Sequence, residues 1–331
     1  MKRQKKILYL DQFVISNMYK SNTDIHWELL RDIIKQKIRE GKLLCPMPLE
    51  HLYETLGRSN IDSNGVENQQ YSDSIKCQHE FFCELAHGNM FYGYEEIAAI
   101  EIMMLLRQGC VKNIKSSYIH KSYYSQVDIS EIYEEGHIFN VNNRNYNTEL
   151  FSFVNEIREQ TSSLNNNISN QNKEILQNAI KRLLVEKYII GLKEFYNKEY
   201  VKVRGIDCGN RKLPHKVDIL IYMLTQKRIN KKETAKLIEE MENHMFERIP
   251  SMNIRSILTA DIVINGKIHT PNDEIDLDRA AVGLRVSDYF FADNDKKNVI
   301  ENYGLSHMYN TKVFSGKKNS VLSLVEILKW L

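Results

Sequence analysis

Apolar and polar positions along this chain change period twice. Near the amino end ILYL is a short unbroken apolar run that stops at Asp11, the pattern of a buried strand with an acid at its tip. Between His26 and Lys42 the period becomes helical. Leu29, Leu30, Ile33, Ile34 and Ile38 recur at i, i+3 and i+4, while Arg31, Lys35, Lys37 and Arg39 face out. LLCPMP reads as a second short strand and a turn, and its prolines introduce the helix LEHLYETL. The polar stretch 57–70 reads as a loop, and residues 71–110 read as helical. Asn-rich breaks follow at 139–147 and 162–172, then a long helix over 173–200. VDILIYMLTQKR and NKKETAKLIEEMENHM are two more helices, the second with Asn230 or Thr234 near its start. Region 71–250 is therefore mainly helical. Beyond it the βα alternation of the amino end returns, with a helical run through Ala280, Ala281 and Leu284, a strand in DYFF, a strand in MYNTKVFS and a closing helix SVLSLVEILKWL.

The two ends thus read as one discontinuous α/β domain, residues 1–58 and 268–331, interrupted by a helical insertion over 59–267. Charge changes this picture little. Lys and Arg number 45 against 43 Asp and Glu, a net charge of +2, so only local basic stretches such as VKVRGIDCGNRKLPHK, with Lys202, Arg204, Arg211 and Lys212, invite a polyanion. The sequence holds no run of 18 apolar residues and no signal-peptide core, which predicts a cytoplasmic protein with no membrane association. Five scattered cysteines suit reduced thiols. Cys77, His79, Cys83 and His87 match no structural-zinc spacing, and the phenylalanines among them point to core.

The chemistry sits in the acids. Asp273, Asp276 and Asp278 lie just ahead of the apolar helical run, and Asp293 and Asp295 follow DYFF. Asp11 either caps the next helix or faces a ligand from the carboxyl end of its strand. Glu50 and Glu54 lie four apart and share a helix face, which is either a solvated acidic face or a third source of ligands. Carboxylates brought together would repel unless a cation neutralised them, and an all-oxygen set suits Mg²⁺ or Mn²⁺. Such an ion activates water against a phosphodiester without a protein nucleophile. The sequence contains no GxSxG, HExxH, Walker loop or GxGxxG that would supply another chemistry.

At these residues the chain resembles the bacterial PIN-domain nucleases, over residues 5–56 and 268–331, and NDEIDLDRAAVGLRVSDYFFADND carries the likeness best. The resemblance assigns metal-ligating, catalytic roles to Asp11, Glu54, Asp276 and Asp293, with Glu50 as the alternative to Glu54. Asp276 is preferred to Asp278 because it precedes Asp293 by seventeen residues, and Asp273 and Asp295 become auxiliary ligands. Ser16 or Asn17 stands for the small polar residue after the first acid, and Arg279 and Arg285 lie beside the acids as substrate contacts. It implies a three-layer α/β/α fold around a central parallel sheet, with the helical insertion added. It also implies a Mg²⁺- or Mn²⁺-dependent endoribonuclease acting on RNA, in a toxin or antiviral-defence role. An antitoxin or defence-system partner protein and a homo-oligomer go with that role. The competing expectations are a structure-specific DNA nuclease, for which no helix-hairpin-helix signature is present, and an inactive PIN-like scaffold that binds a partner through its insertion.

Overall fold

The computed structural model describes residues 5–20, 24–52, 69–126, 148–161, 170–198, 201–203, 206–208 and 215–331. The elements, in chain order, are β1 (Lys6–Tyr9), α1 (Gln12–Tyr19), α2 (Ile25–Arg39), β2 (Leu43–Leu44), α3 (Gln69–Ala86), β3 (Asn89–Phe91), α4 (Tyr94–Gln108) and β4 (Ile119–Lys121). There follow α5 (Thr148–Thr161), α6 (Asn170–Tyr196), β5 (Val201–Val203), β6 (Ile206–Cys208), α7 (His215–Gln226), α8 (Lys231–His244), α9 (Pro250–Ile264) and α10 (Pro271–Val286). The chain closes with β7 (Tyr289–Phe291), α11 (Asn294–Asn302), α12 (Leu305–Met308), β8 (Lys312–Phe314) and α13 (Lys318–Lys329). No helix among the described residues is long and apolar enough to cross a membrane.

Two compact units divide the chain: residues 1–93, 114–142 and 283–331 form one, and residues 94–113 and 143–282 the other. The division differs from the one read from sequence, at 58 and 268. The first unit runs on through α3 and β3, and it resumes inside α10 rather than before it.

The first unit is α/β, built on a four-stranded sheet of order β2-β1-β7-β8 with every pairing parallel. Tyr9 lies opposite Phe290, and Phe290 opposite Val313. Parallel strands covered on both faces are unbroken apolar runs, which is why ILY and YFF carry no alternation. Leu8, Leu10, Trp27, Leu30, Phe291, Phe314 and Leu324 meet in its core, and α2 packs on α13 and on α1. The last turn of α10 lies close on the sheet because residue 283 is glycine. A Cβ there would sit 2.5 Å from the Phe290 ring. The amino edge of the sheet is pinned by Asp288, which accepts from Ile7 N at 2.9 Å and pairs with Lys6 at 3.1 Å. The buried Lys115 ammonium closes the same edge, donating to the carbonyls of Ser287 and Asn310.

The second unit is helical. Thirteen of the fifteen residues of α9 are buried, which makes it the central helix, against α4, α5 and α6. A helix buried on nearly every face has no solvent side to offer, and its polar side chains must find partners inside. Asn230 caps α8 and forms a capping box with Glu233, which decides between the two starts that the sequence left open. Residues 71–110 are not one helical stretch. β3 separates α3 from α4 and pairs antiparallel with β4, a three-residue strand too short to show a period. The helix that carries the acids of PNDEIDLD starts at Pro271, with Asp273 in its first turn and the apolar run through Ala280 and Leu284 after them.

Candidate functional site

In the first unit the chain leaves the two central strands in opposite directions. From β1 it passes through α1 and α2 to β2 on one side; from β7 it passes through α11 and α12 to β8 on the other. Helices from two such crossovers leave a crevice outside the carboxyl ends of the central strands. Asp11 stands two residues beyond β1, and Asp293 two residues beyond β7. The strands are direct neighbours in register, so the two acids flank this switch point.

Each acid also caps the helix that follows. Asp11 Oδ1 accepts from Gln12 N at 2.5 Å, and Asp293 Oδ1 accepts from Lys296 N at 2.6 Å. The capping and site readings of Asp11 are therefore not alternatives. The cap bond fixes the rotamer of the carboxylate it engages. Asp11 is buried, whereas Asp293 and Asp295, in the first turn of α11, are exposed. Ser16 is half-buried and Asn17 exposed on α1, the helix that Asp11 caps.

Glu50 is buried, and the Tyr9 hydroxyl donates to its Oε2 at 3.3 Å. Tyr9, with no exposed surface, is held by Phe91 and Phe290 at 5.3 Å each. Glu54 lies outside the described residues, as do Arg204, Arg211 and Lys212. Of the four Cys and His residues at and beside α3, Cys77 and Cys83 are half-buried and His87, just past the helix, is exposed. His79 is fully buried, 3.3 Å from Cys83 Sγ, and its ring stacks on His51 at 6.0 Å.

Among the described residues no three His, Cys, Asp or Glu side chains gather to hold a metal ion. Mg²⁺ asks for less, since it keeps several waters and binds through one or two carboxylates together with substrate phosphates. The oxygen-only pair Asp11 and Asp293 fits that demand, and among the described residues no lysine or arginine pairs with Asp293 or Asp295.

The acids of α10 are otherwise engaged within the second unit. Asp273 Oδ2 accepts from Thr270 N at 2.8 Å while Thr270 Oγ1 accepts from Asp273 N at 3.3 Å, both halves of a capping box at the start of α10. Lys267 pairs with its other oxygen at 2.6 Å. Burial opposes ionisation of Asp273, but the Lys267 and Thr270 hydrogen bonds outweigh it and hold the carboxyl below the usual range. Asp278 is clasped by Arg255 at 2.8 Å and by Lys216. Asp276 pairs with Arg279 at 3.0 Å and keeps about a third of its side chain in solvent. Two expected substrate contacts are spent internally: Arg279 in that pair, and Arg285 buried over the Tyr118 ring with its guanidinium donating to the hydroxyl at 3.0 Å.

Sequence reading passed over the group that engages these acids. Lys216 bridges Asp278 to Glu95 at 3.0 Å, Arg255 also reaches Glu274, and Glu274 in turn contacts His269. Both cations lie over Tyr94, at 5.5 and 5.4 Å. Burial works against the Glu274 carboxylate, yet Arg255 and His269 bring its pKa down to about 2. The signal was present in PSMNIRSILTADIVI, where a lone arginine stands in a helix otherwise fit for full burial.

No family model, curated protein or solved structure matches this chain.

Proposed function

We propose that the protein is a metal-dependent endoribonuclease of PIN-like design, with its site at the carboxyl edge of the β1–β7 pair. The observation that carries the reading is the placement of Asp11 and Asp293 on the two sides of the switch point. Mg²⁺ or Mn²⁺, when bound there, supplies activation of water and neutralises charge on the scissile phosphate. Asp11 and Asp293 would hold the ion, each already oriented by its cap bond. Buried Glu50, steadied by Tyr9, stands in the helical turn after β2, a second neighbour of β1 in the same sheet. Tyr9, Phe290 and Phe291 are buried in the strands themselves, so bases have no stacking platform there.

The test is cleavage of total cellular RNA by purified protein with Mn²⁺, Mg²⁺ or EDTA, for wild type and Asp11→Asn. Asn is as good a helix cap as Asp, so the variant keeps the fold and loses the charge. Cutting that needs metal and disappears in Asp11→Asn is the expected result. One observation favours a second reading, an inactive PIN-like scaffold: no three-ligand cluster exists among the described residues. Its mark would be intact RNA in every condition, together with no calorimetric signal for Mn²⁺.

A further inference from the structure

Beside Asp293, along the free edge of the sheet, runs a groove of about 1000 Å³. Among the described residues β8 is an edge strand with no partner beyond it in the sheet order. The groove is walled by α11 through Asn294, Lys297, Asn298 and Glu301, floored by β8, and walled again by α13 through Ser320 and Ser323. It reaches from Asn310, at the amino end of β8, to Ser315 and Lys317 at the carboxyl end. Because β7 and β8 are parallel, that second end lies on the same edge of the sheet as Asp293.

The lining carries more lysines than carboxylates. Its titratable groups are Lys297, Glu301, His307, Lys312 and Lys317. Glu301 is answered by Lys297 at 3.5 Å, while Lys312 and Lys317 are exposed and have no carboxylate partner among the described residues. The rest is mostly amide and hydroxyl side chains, and Phe314, its one aromatic residue, is buried in the core. Such a surface suits the phosphates and sugars of a nucleic-acid strand, not the bases, and not an apolar peptide. The opening turn of α13, whose Lys317 cap makes no side-chain cap bond, points its positive end the same way.

The geometry points to this groove as the binding track for the backbone of single-stranded RNA, with Lys312 and Lys317 each neutralising a phosphate of the strand that runs to Asp293. The inference rests on the nuclease reading for the identity of the strand, but not for the existence of the surface. It also gives the bulk charge of +2 a new meaning, since the cations that matter are few and local.

The experiment is fluorescence anisotropy of a labelled oligouridylate with the full chain in EDTA, across a salt series. It compares wild type, the double variant Lys312→Glu/Lys317→Glu and the control Lys329→Glu. Lys329 is an exposed lysine on α13 outside the groove. Circular dichroism confirms folding, and the milder Lys312→Gln/Lys317→Gln pair stands in if the charge reversal does not fold. The expected result is at least tenfold weaker binding for the double variant, no change for Lys329→Glu, and a log–log salt slope reduced by about 1.4, since two single-strand phosphate contacts are lost. Manganese-dependent cutting should show the same loss in KM with kcat unchanged.

If the double variant binds and cuts like wild type, the groove is not the track, the nuclease reading stands, and the free β8 edge becomes a place for a protein strand. If wild type binds through the lysines but cuts in no metal, the track stands and the nuclease reading falls. If wild type neither binds nor cuts, both fall.

Discussion

In the helical unit Glu274 and Asp278 touch Arg255 and Lys216, whereas in the α/β unit Asp293 meets a backbone N–H and remains exposed. The residue type is the same and the task differs, because the task is set by what neutralises the charge. A carboxylate answered by a buried guanidinium has no capacity left for an ion from solution. One answered by a single cap bond keeps an oxygen to give. The contrast also separates two effects of substitution: breaking the first arrangement should cost stability, and breaking the second should cost activity.

Arg255→Met should give the largest loss. It leaves Asp278 and Glu274 buried beside a single remaining Lys216 and His269, and removing one partner of a buried ion pair costs about 3–5 kcal/mol. Urea unfolding of wild type and variant measures it. A change below about 1 kcal/mol would mean that the network relaxes into solvent and that the two units do not differ as described.

The acid limb of the stability curve should come next. The Glu274 pKa lies at about 2 in the folded chain, below its value in the unfolded chain, so its contribution is complete above the ordinary carboxylate range. It is lost as pH falls from there towards 2, by an amount on the order of 3 kcal/mol. Asp278, which burial pushes upward despite Lys216 and Arg255, acts in the opposite sense. Comparison with Glu274→Gln therefore isolates the effect. The variant should be less stable at neutral pH and show a shallower acid limb, and parallel limbs would refute the assignment.

Asp11→Asn reverses the pattern. Cutting should fall by at least the 10–100-fold that even outer-shell partners of a metal contribute. Stability should move by no more than a few tenths of a kcal/mol, since the cap survives. Parallel assays of cleavage and unfolding read both, and an unstable but active Asp11→Asn would place this acid with those of the helical unit.

How much of this was legible beforehand follows from range. The strands ILYL and DYFF and the helix between His26 and Lys42 are decided by neighbours a few residues away, and they stand near their expected places. So do Asp11 and Asp293, because a strand-end acid is a local pattern. The partners of α10 are not local. Asp278 meets Arg255 from 23 residues away and Lys216 from 62, and no periodicity encodes which acid finds a cation. The Arg285 contact is non-local in the same way, since Tyr118 lies 167 residues away. The groove outside β8 was invisible because it consists of spacing between elements rather than of any motif.

Asp273 offers the smallest and most discriminating test of the contrast. As one of three aspartates in PNDEIDLD it reads as an auxiliary metal ligand, yet its oxygens are taken by Thr270 N, Thr270 Oγ1 and Lys267. Asp273→Ala removes one half of the capping box and leaves the Thr270 N–H without its acceptor, which should cost about 1 kcal/mol of stability. The Lys267 pair adds little, because the lysine is mostly exposed and such pairs are screened. Metal-dependent cutting should remain within about twofold of wild type in conditions where both are folded, given the small stability change expected. The opposite outcome, full stability with cutting abolished, would make Asp273 a ligand after all. A carboxylate satisfied by its own helix would then still serve an ion, and pairing would no longer tell the working acids from the structural ones.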